Sequence, residues 1–215
     1  LVQTFVASAG DDPRVRRYLA LAIGRLTSPP PDAVDRLAEA LDDPDTETLI
    51  SVIWALGSLG EEAVVPRVVD LYQSQDAGVR KMVVYALGVL PDDGIHTTLR
   101  AALDDPVADV QWNAAVALAR HGDERGTRVL ARMLDRDYVS ERVTASETLI
   151  DPASEVMVSG LRAFAALGAG EGGQVWTRIQ TLADADESLR VRQVALETLE
   201  ALGTEAISSS IAGRR

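Results

Sequence analysis

The segment Leu41-Asp42-Asp43-Pro44 decides the fold of this chain, because it recurs at a fixed interval. It returns as Leu103-Asp104-Asp105-Pro106 two periods of 31 residues later, and as Leu134-Asp135-Arg136-Asp137 after a third period. A fixed period of this length is the sequence signature of stacked structural repeats. If the chain is a repeat array, other features of the sequence should follow the same period.

A second, unrelated segment does follow it. Trp54-Ala55-Leu56-Gly57 returns as Tyr85-Ala86-Leu87-Gly88 and then as Val116-Ala117-Leu118-Ala119. Two landmarks that keep one period through every intervening loop predict a single elongated array of about six units. Such an array presents a long surface to a partner and seldom builds a closed catalytic pocket.

Each period is predicted to contain two helices joined by a tight turn. Asp43-Pro44 interrupts the helical pattern, because proline lacks the amide hydrogen that a helix interior needs, and Asp43 is placed to cap the second helix, residues 45–59. Gly57 and Gly60 permit close helix contact and a left-handed closing residue. The first helix is marked by apolar residues at helical spacing: Val34, Leu37, Ala38 and Leu41.

The same pattern predicts the other helices and the domain organisation. Second helices are expected near residues 13–26, 77–90 and 106–121, with first helices near 63–72, 94–103 and 126–134. Past Asp137 the regularity weakens, and an additional helix from Asp151-Pro152 to Gly168 precedes a final pair near 174–183 and 187–203. We expect one domain over 1–207, with regular repeats over 1–136, an irregular insertion at about 137–152, C-terminal repeats over 153–203 and a frayed tail at 208–215.

Composition narrows the possible functions. The 215 residues are 47% hydrophobic but only 4% aromatic, as closely packed helices with small contact residues require. A formal charge of -12 opposes nonspecific binding to nucleic acid. Without cysteine the chain has no disulfide and no thiolate nucleophile. No apolar run approaches the ~20 residues of a membrane-spanning helix, so we expect no membrane insertion and a cytoplasmic location.

Two segments share a pattern of Asp, then Val-Arg, then a closing small-aliphatic-Gly tripeptide. They are residues 12–24, from Asp12 through Val15-Arg16 to Ala22-Ile23-Gly24, and residues 76–88. This pattern resembles the HEAT-repeat family, in particular the short bacterial and archaeal form often called the phycobilin-lyase type. The resemblance implies an all-α fold, an α-solenoid in which helical hairpins wind into a right-handed superhelix. It also implies that the second helices line a concave face, which most often holds another protein.

The enzymatic branches of that family can be compared with this chain. Deoxyhypusine hydroxylase-like arrays carry paired His-Glu motifs that bind two irons, whereas the only histidines here, His96 and His121, are not followed by Glu. Bilin lyases of this type hold a tetrapyrrole, but no residue marks that ligand in this sequence. HEAT-like DNA glycosylases have a basic concave face, which the charge of this chain opposes. We therefore expect no metal, no cofactor and no catalytic residues.

Unusual apolar residues occur at two positions of the second helices. We number each second helix from the Val of Val-Arg as position zero. The sixth position lies outside the apolar stripe and is usually polar in the family. Position two lies one turn earlier, on the same side of the helix as position six. The sixth position holds Leu21, Trp54, Tyr85 and Val116, and the second position holds Arg17, Ile50, Lys81 and Trp112. These eight residues are the predicted partner-binding site.

Two interpretations of this strip are open. Exposed Trp and Tyr side chains are typical of interaction sites, and Arg17 and Lys81 would meet a carboxylate or the C-terminus of a bound helix. Alternatively, the bulky residues fill gaps between neighbouring units. Asp12, Asp76 and Asp105 with Arg16 and Arg80 are interpreted as helix caps and bonds between units rather than as catalytic acid and base pairs.

The leading hypothesis is a noncatalytic scaffold that holds a protein or peptide segment along the strip. A second hypothesis is a lyase-like or chaperone-like protein in which Trp54 and Trp112 stack on a flat ligand. A third is a structural or assembly module of a larger polypeptide.

Overall fold

The structure is a computed structural model that describes residues 1–8, 12–90, 94–143, 151–168 and 173–212, with side chains up to residue 203. Within these residues all regular secondary structure is helical, which confirms the predicted all-α class. The chain groups into two compact units, residues 1–117 and 118–215. The single domain over 1–207 stays a prediction.

The first unit consists of helices that alternate between a short first helix and a longer second helix. The first helices are α1 (Val2–Ala7), α3 (Ala33–Glu39), α5 (Val65–Asp70) and α7 (Ile95–Ala101). The second helices are α2 (Pro13–Ile23), α4 (Thr46–Leu59), α6 (Ala77–Leu87) and α8 (Ala108–Arg120), the last of which runs beyond the unit boundary. The predicted pairing of a first and a second helix in each period is confirmed.

Three of the first helices end in a 3-10 turn immediately before the predicted break. These turns are Ala40–Asp42, Leu71–Gln73 and Ala102–Asp104. Each leads into an extended residue at the break, and the next second helix begins three residues after it. In this unit α2 packs against α4, and α4 packs against α6. Fully buried aliphatic residues such as Ile23, Leu56 and Leu87 fill the core between them.

Asp43 does not cap α4, which corrects the sequence prediction. Asp43 follows the 3-10 turn in an extended conformation, so the helix begins too far along the chain for its carboxylate to reach the first turn. The N-cap is Asp45, whose Oδ1 accepts a hydrogen bond from the Thr48 amide at 2.8 Å. At the other end of α4, Gly60 has φ +77° and closes the helix in the left-handed conformation, as predicted.

The described residues of the second unit form the helices α9 (Thr127–Met133), α10 (Arg136–Ser140), α11 (Pro152–Leu167), α12 (Gln174–Ala185) and α13 (Leu189–Ala212). α11 packs against α9, α10 and α13, and α13 packs against α12. The additional helix predicted from Asp151-Pro152 to Gly168 is confirmed as α11, with Asp151 as its N-cap and Gly168 as its left-handed C-cap. Residues 144–150 of the predicted insertion lie outside the described residues.

α13 extends beyond its predicted end. Gly203 was expected to end the helix, but it is not among the described glycines that adopt a positive φ, so the helical backbone continues to Ala212. Residues 208–212 of the predicted frayed tail are therefore helical. A glycine ends a helix only where the chain turns into the left-handed region, and the sequence alone does not specify this.

Candidate partner-binding face

The predicted strip lies on successive second helices of the first unit. We call the side chains at positions two and six of α2, α4, α6 and α8 the second-helix face. Because these helices stack on one another, residues at the same position form a row across them. The row at position six is Leu21, Trp54, Tyr85 and Val116, and the row at position two is Arg17, Ile50, Lys81 and Trp112.

Close contacts between glycine and alanine fix the spacing of the stacked helices. A methyl group on Gly24 would lie 2.7 Å from Cα of Ala55, and one on Gly88 would lie 2.6 Å from Cβ of Ala117. Distances this short are not tolerated, so only glycine allows the ends of these helices to approach so closely. Gly57 makes the corresponding approach to Ala86. The rows are therefore held at a constant separation by backbone contact.

Most of the second-helix face is partly exposed. Trp54 and Tyr85 have intermediate exposure, as do Leu21, Ile50 and Val116. Trp112 differs, because it is only 3% exposed. In the part of the chain that the structure describes, its indole Nε1 has no hydrogen-bond acceptor. The expectation of an exposed strip therefore does not hold at Trp112, which is packed inside the protein.

Trp54 combines the two interpretations that the sequence left open. A methyl group on Gly24 would lie 2.9 Å from Cζ3 of Trp54, so the indole ring packs against the glycine of the preceding second helix. The guanidinium carbon of Arg25 lies 5.5 Å from the centroid of the same ring, within cation–π distance. The residue as a whole has intermediate exposure. Trp54 thus fills a gap between helices and also contributes to the surface.

The position-two side chains reach across to the next second helix. Arg17 lies 3.6 Å from the carboxylate of Glu47, and Lys81 lies 2.7 Å from that of Asp109. Ile50 also contacts the next second helix, since its Cδ1 would lie 3.2 Å from a methyl group on Gly78 of α6. Arg17 and Lys81 were expected to be available to a partner's carboxylate. Instead, each already has a carboxylate of this chain as its partner.

Ion pairs also connect successive repeats within the first unit. Arg16 pairs with Asp43, and Arg80 donates from Nε and Nη2 to the two carboxylate oxygens of Asp105 at 2.8 and 3.1 Å. Tyr72 also donates to Asp105, at 3.2 Å. The sequence predicted bonds between units, and these contacts confirm them. Asp12 and Asp76 cap α2 and α6, with Asp12 paired to Arg14 rather than to Arg16.

The ionisation of Asp105 and Tyr72 is consistent with a structural role. Burial raises the pKa of Asp105, but hydrogen bonds from Arg80 and from the Val107 amide outweigh burial and hold the net pKa below its usual range. Burial and the neighbouring Asp105 raise the pKa of Tyr72 to about 12. Asp105 is therefore charged and Tyr72 neutral near pH 7, so neither group is poised to transfer a proton in that range.

In the second unit, Arg136 takes the corresponding structural role. Its guanidinium donates to Asp186 at 2.6 Å from Nη2 and to Asp151 at 2.8 Å from Nη1. Burial lowers the pKa of Arg136, but hydrogen bonds from the arginine to these two carboxylates outweigh burial and raise the net value. Among the described residues there is no group of three or more side chains that could hold a metal ion. No described helix is long and apolar enough to cross a membrane.

Sequence reasoning missed Arg25, which lies next to the predicted site. Arg25 follows Gly24 at the end of α2, is exposed, and approaches Trp54 from the preceding helix. The available signal was its position, because the residue after the closing glycine of one unit lies beside the sixth position of the next. That signal is weak, since the equivalent residues are Ser58, Val89 and Arg120.

Comparison with known proteins agrees with the geometry. A family model described as HEAT repeats matches residues 3–88 and 71–150 of this chain. The chain belongs to the HEAT-repeat family. This confirms the resemblance drawn from the sequence, and it confirms the repeat-solenoid architecture as the fold of this HEAT-repeat protein.

Individual relatives are more distant. The alpha subunit of phycocyanobilin lyase from Microchaete diplosiphon is 34% identical over 79 residues, a match that covers 34% of this chain. The chain spans about a quarter of that relative, with 27% of its length covered.

Solved structures show the same fold at low identity. A crystallised engineered protein has a TM-score of 0.55 at 21% identity, with 94% of this chain and 96% of that chain covered. A designed armadillo repeat protein has a TM-score of 0.54 at 18% identity, covering 94% of this chain and 100% of that chain. Another, in complex with the peptide (KR)4, has a TM-score of 0.51 at 17% identity, covering 94% and 91%.

Proposed function

We propose that this HEAT-repeat protein is a noncatalytic scaffold that holds a peptide segment of a partner protein against the second-helix face. The observation that carries the proposal is the row of partly exposed side chains at position six, with Trp54 and Tyr85 at its centre. Aromatic side chains dominate the binding energy of protein interfaces, because they bury large areas at low conformational cost.

The backbone arrangement supports this use. The contacts of Gly24, Gly57 and Gly88 fix the spacing of the helices, so the row exists before a partner arrives. A preformed surface loses little conformational entropy on binding. A designed armadillo repeat protein with a similar fold is known in complex with a peptide, (KR)4. A stacked-helix architecture of this kind is thus compatible with peptide binding.

The lyase-like alternative has less support. It requires Trp54 and Trp112 to offer their ring faces to one flat ligand, but Trp112 is a buried residue. The lyase relative matches over 34% of this chain. The second-helix face and the structural role of the charged pairs support the proposal of a scaffold.

Selection from a random peptide display library tests the proposal. We expect peptides that bind the wild-type protein but not the variant Trp54→Glu/Tyr85→Glu, because two buried carboxylates would oppose apolar contact. The matched control is Gln73→Glu/Thr97→Glu, which adds the same charge at exposed positions of the first unit outside the second helices. Circular dichroism verifies that each variant is helical.

If the glutamate variant unfolds, Trp54→Ala/Tyr85→Ala replaces it in the same comparison. Peptides that bind the wild type, the control and the site variant equally would place binding elsewhere and contradict the proposal. A selection that enriches no peptide would contradict it as well.

A further inference from the structure

We propose that Arg25 and Trp54 form a subsite for an acidic residue, so that the bound segment carries a carboxylate next to an apolar side chain. The inference rests on the proposed function and names the chemical class of the partner. It comes from Arg25, a cation that contacts Trp54 of the second-helix face and differs in its pairing from the two cations of that face.

Two cations of the face are already neutralised. Arg17 pairs with Glu47, and Lys81 pairs with Asp109 through a 2.7 Å contact. The same pairs engage the carboxylates of Glu47 and Asp109, so a basic residue of a partner would compete with Arg17 or Lys81 for either carboxylate.

Arg25 is in a different situation. It is exposed, and within the described residues no carboxylate lies within ion-pair distance of its guanidinium. Its contact is with the ring of Trp54, at 5.5 Å from the guanidinium carbon to the centroid. A guanidinium beside an aromatic ring keeps its N–H groups available at its edge, where they match the two oxygens of a carboxylate.

The Trp54 ring holds this arrangement in place. The ring of Trp54, on α4, packs against Gly24, the residue before Arg25 at the end of α2, so the aromatic surface and the cation come from neighbouring second helices. The arginine is thereby partly ordered before binding, which lowers the entropy lost on forming a bidentate contact. The exposed part of Trp54 would provide the apolar surface for the neighbouring side chain of the ligand.

The overall charge of -12 repels an acidic partner at long range, so the proposed contact with Arg25 has to act at short range. Long-range attraction would favour basic partners, whereas short-range recognition at Arg25 favours an acidic residue. The two effects favour ligands of opposite charge, so peptide-binding experiments distinguish between them. We expect affinity for an acidic peptide to depend on one local contact rather than on the net charge of the protein.

The test uses peptides selected on the full-length protein. We expect enrichment of Asp or Glu beside Leu, Phe or Trp. Replacing that acidic residue of the peptide by its amide should weaken binding to the wild type about fivefold to tenfold, and should change binding to Arg25→Gln by less than about twofold. The matched control is Arg128→Gln, an exposed arginine on α9, which should behave like the wild type.

Each outcome decides between the two proposals. Peptides that need Trp54 and Tyr85 but are basic or neutral, or whose amide versions bind equally well, would overturn the acidic subsite and leave the scaffold proposal standing. Equal effects of the peptide exchange on wild type and Arg25→Gln would also overturn the subsite. If no peptide is selected, the scaffold proposal fails and the subsite fails with it.

Discussion

Arg80 on α6 holds both carboxylate oxygens of Asp105, which lies at the end of the next first helix, 25 residues along the chain. The equivalent positions one unit earlier are Leu49 and Ser74. Both members of the pair are thus replaced together. The pair Arg16 and Asp43, one unit before that, is charged again. The chain therefore contains both a charged pair and an uncharged pair at equivalent positions between successive repeats, and the two can be compared.

This comparison predicts the effect of breaking the pair. Arg80→Leu leaves the carboxylate of Asp105 buried without its arginine, and should lower the free energy of unfolding by roughly 3–5 kcal/mol. The double variant Arg80→Leu/Asp105→Ser copies Leu49 and Ser74 and should regain at least about 1 kcal/mol. Urea denaturation measures both. Arg67→Leu, which removes the exposed pair with Asp42, is the control and should cost less than about 1 kcal/mol. A double variant less stable than Arg80→Leu would contradict this account.

The lowered pKa of Asp105 predicts a loss of stability in acid. A carboxyl group with a folded pKa below its unfolded value of about 3.9 stabilises the fold above that pH, and this contribution disappears as the pH falls through the folded pKa. We expect the urea concentration at the unfolding midpoint of the wild type to decrease when the pH is lowered below about 4. The Asp105→Asn variant should have a lower urea midpoint than the wild type at pH 7, and its midpoint should decrease less on acidification. Parallel pH curves for the two proteins would exclude Asp105 as a contributor.

Glycine substitutions test the spacing of the stacked helices. Gly88→Ala places a methyl group 2.6 Å from Cβ of Ala117 and should destabilise the protein by about 1–3 kcal/mol. Gly203→Ala is the matched control, because Gly203 is helical with no neighbouring atom within 4 Å, and it should be stabilising by up to about 1 kcal/mol. Thermal or urea unfolding measures the pair. The same sign for both substitutions would contradict the close approach at Gly88.

Position zero of the second helices offers another internal comparison. Val79 is 1% exposed, whereas Val15, at the same position of α2, is 45% exposed. Val79→Ala should cost roughly 2–3 kcal/mol through loss of packing, and Val15→Ala less than about 1 kcal/mol. The difference reports the unequal burial of the two valines. Equal losses in urea denaturation would show that Val15 is buried in solution.

Much of the fold follows from the periodic sequence. Proline and aspartate at the break, and apolar residues at helical spacing, are local signals, so α2 to α9, α11 and α12 could be predicted. The capping residue of α4 could not, because the 3-10 turn before Asp43 shifts the helix start to Asp45. The end of α13 was missed because Gly203 is compatible with a continuing helix.

The candidate site could be predicted less well. The period places Trp54 and Tyr85 on one row, but the sequence does not give the depth of burial, which separates Trp112 from the others. It also does not show which cations are paired. Glu47 and Asp109 precede position zero of their helices, and only the stacking brings them to Arg17 and Lys81. The same stacking brings Arg25 to Trp54.

The central claim is that a peptide covers the indole of Trp54. The most direct measurement is a titration of ¹⁵N-labelled protein with a selected peptide, following the indole N–H signals of Trp54, Trp112 and Trp176, each assigned by a Trp→Phe variant. We predict that the Trp54 signal shifts progressively to saturation while the signal of Trp176 on α12 stays in place. A peptide that binds while the Trp54 signal does not move would contradict the account.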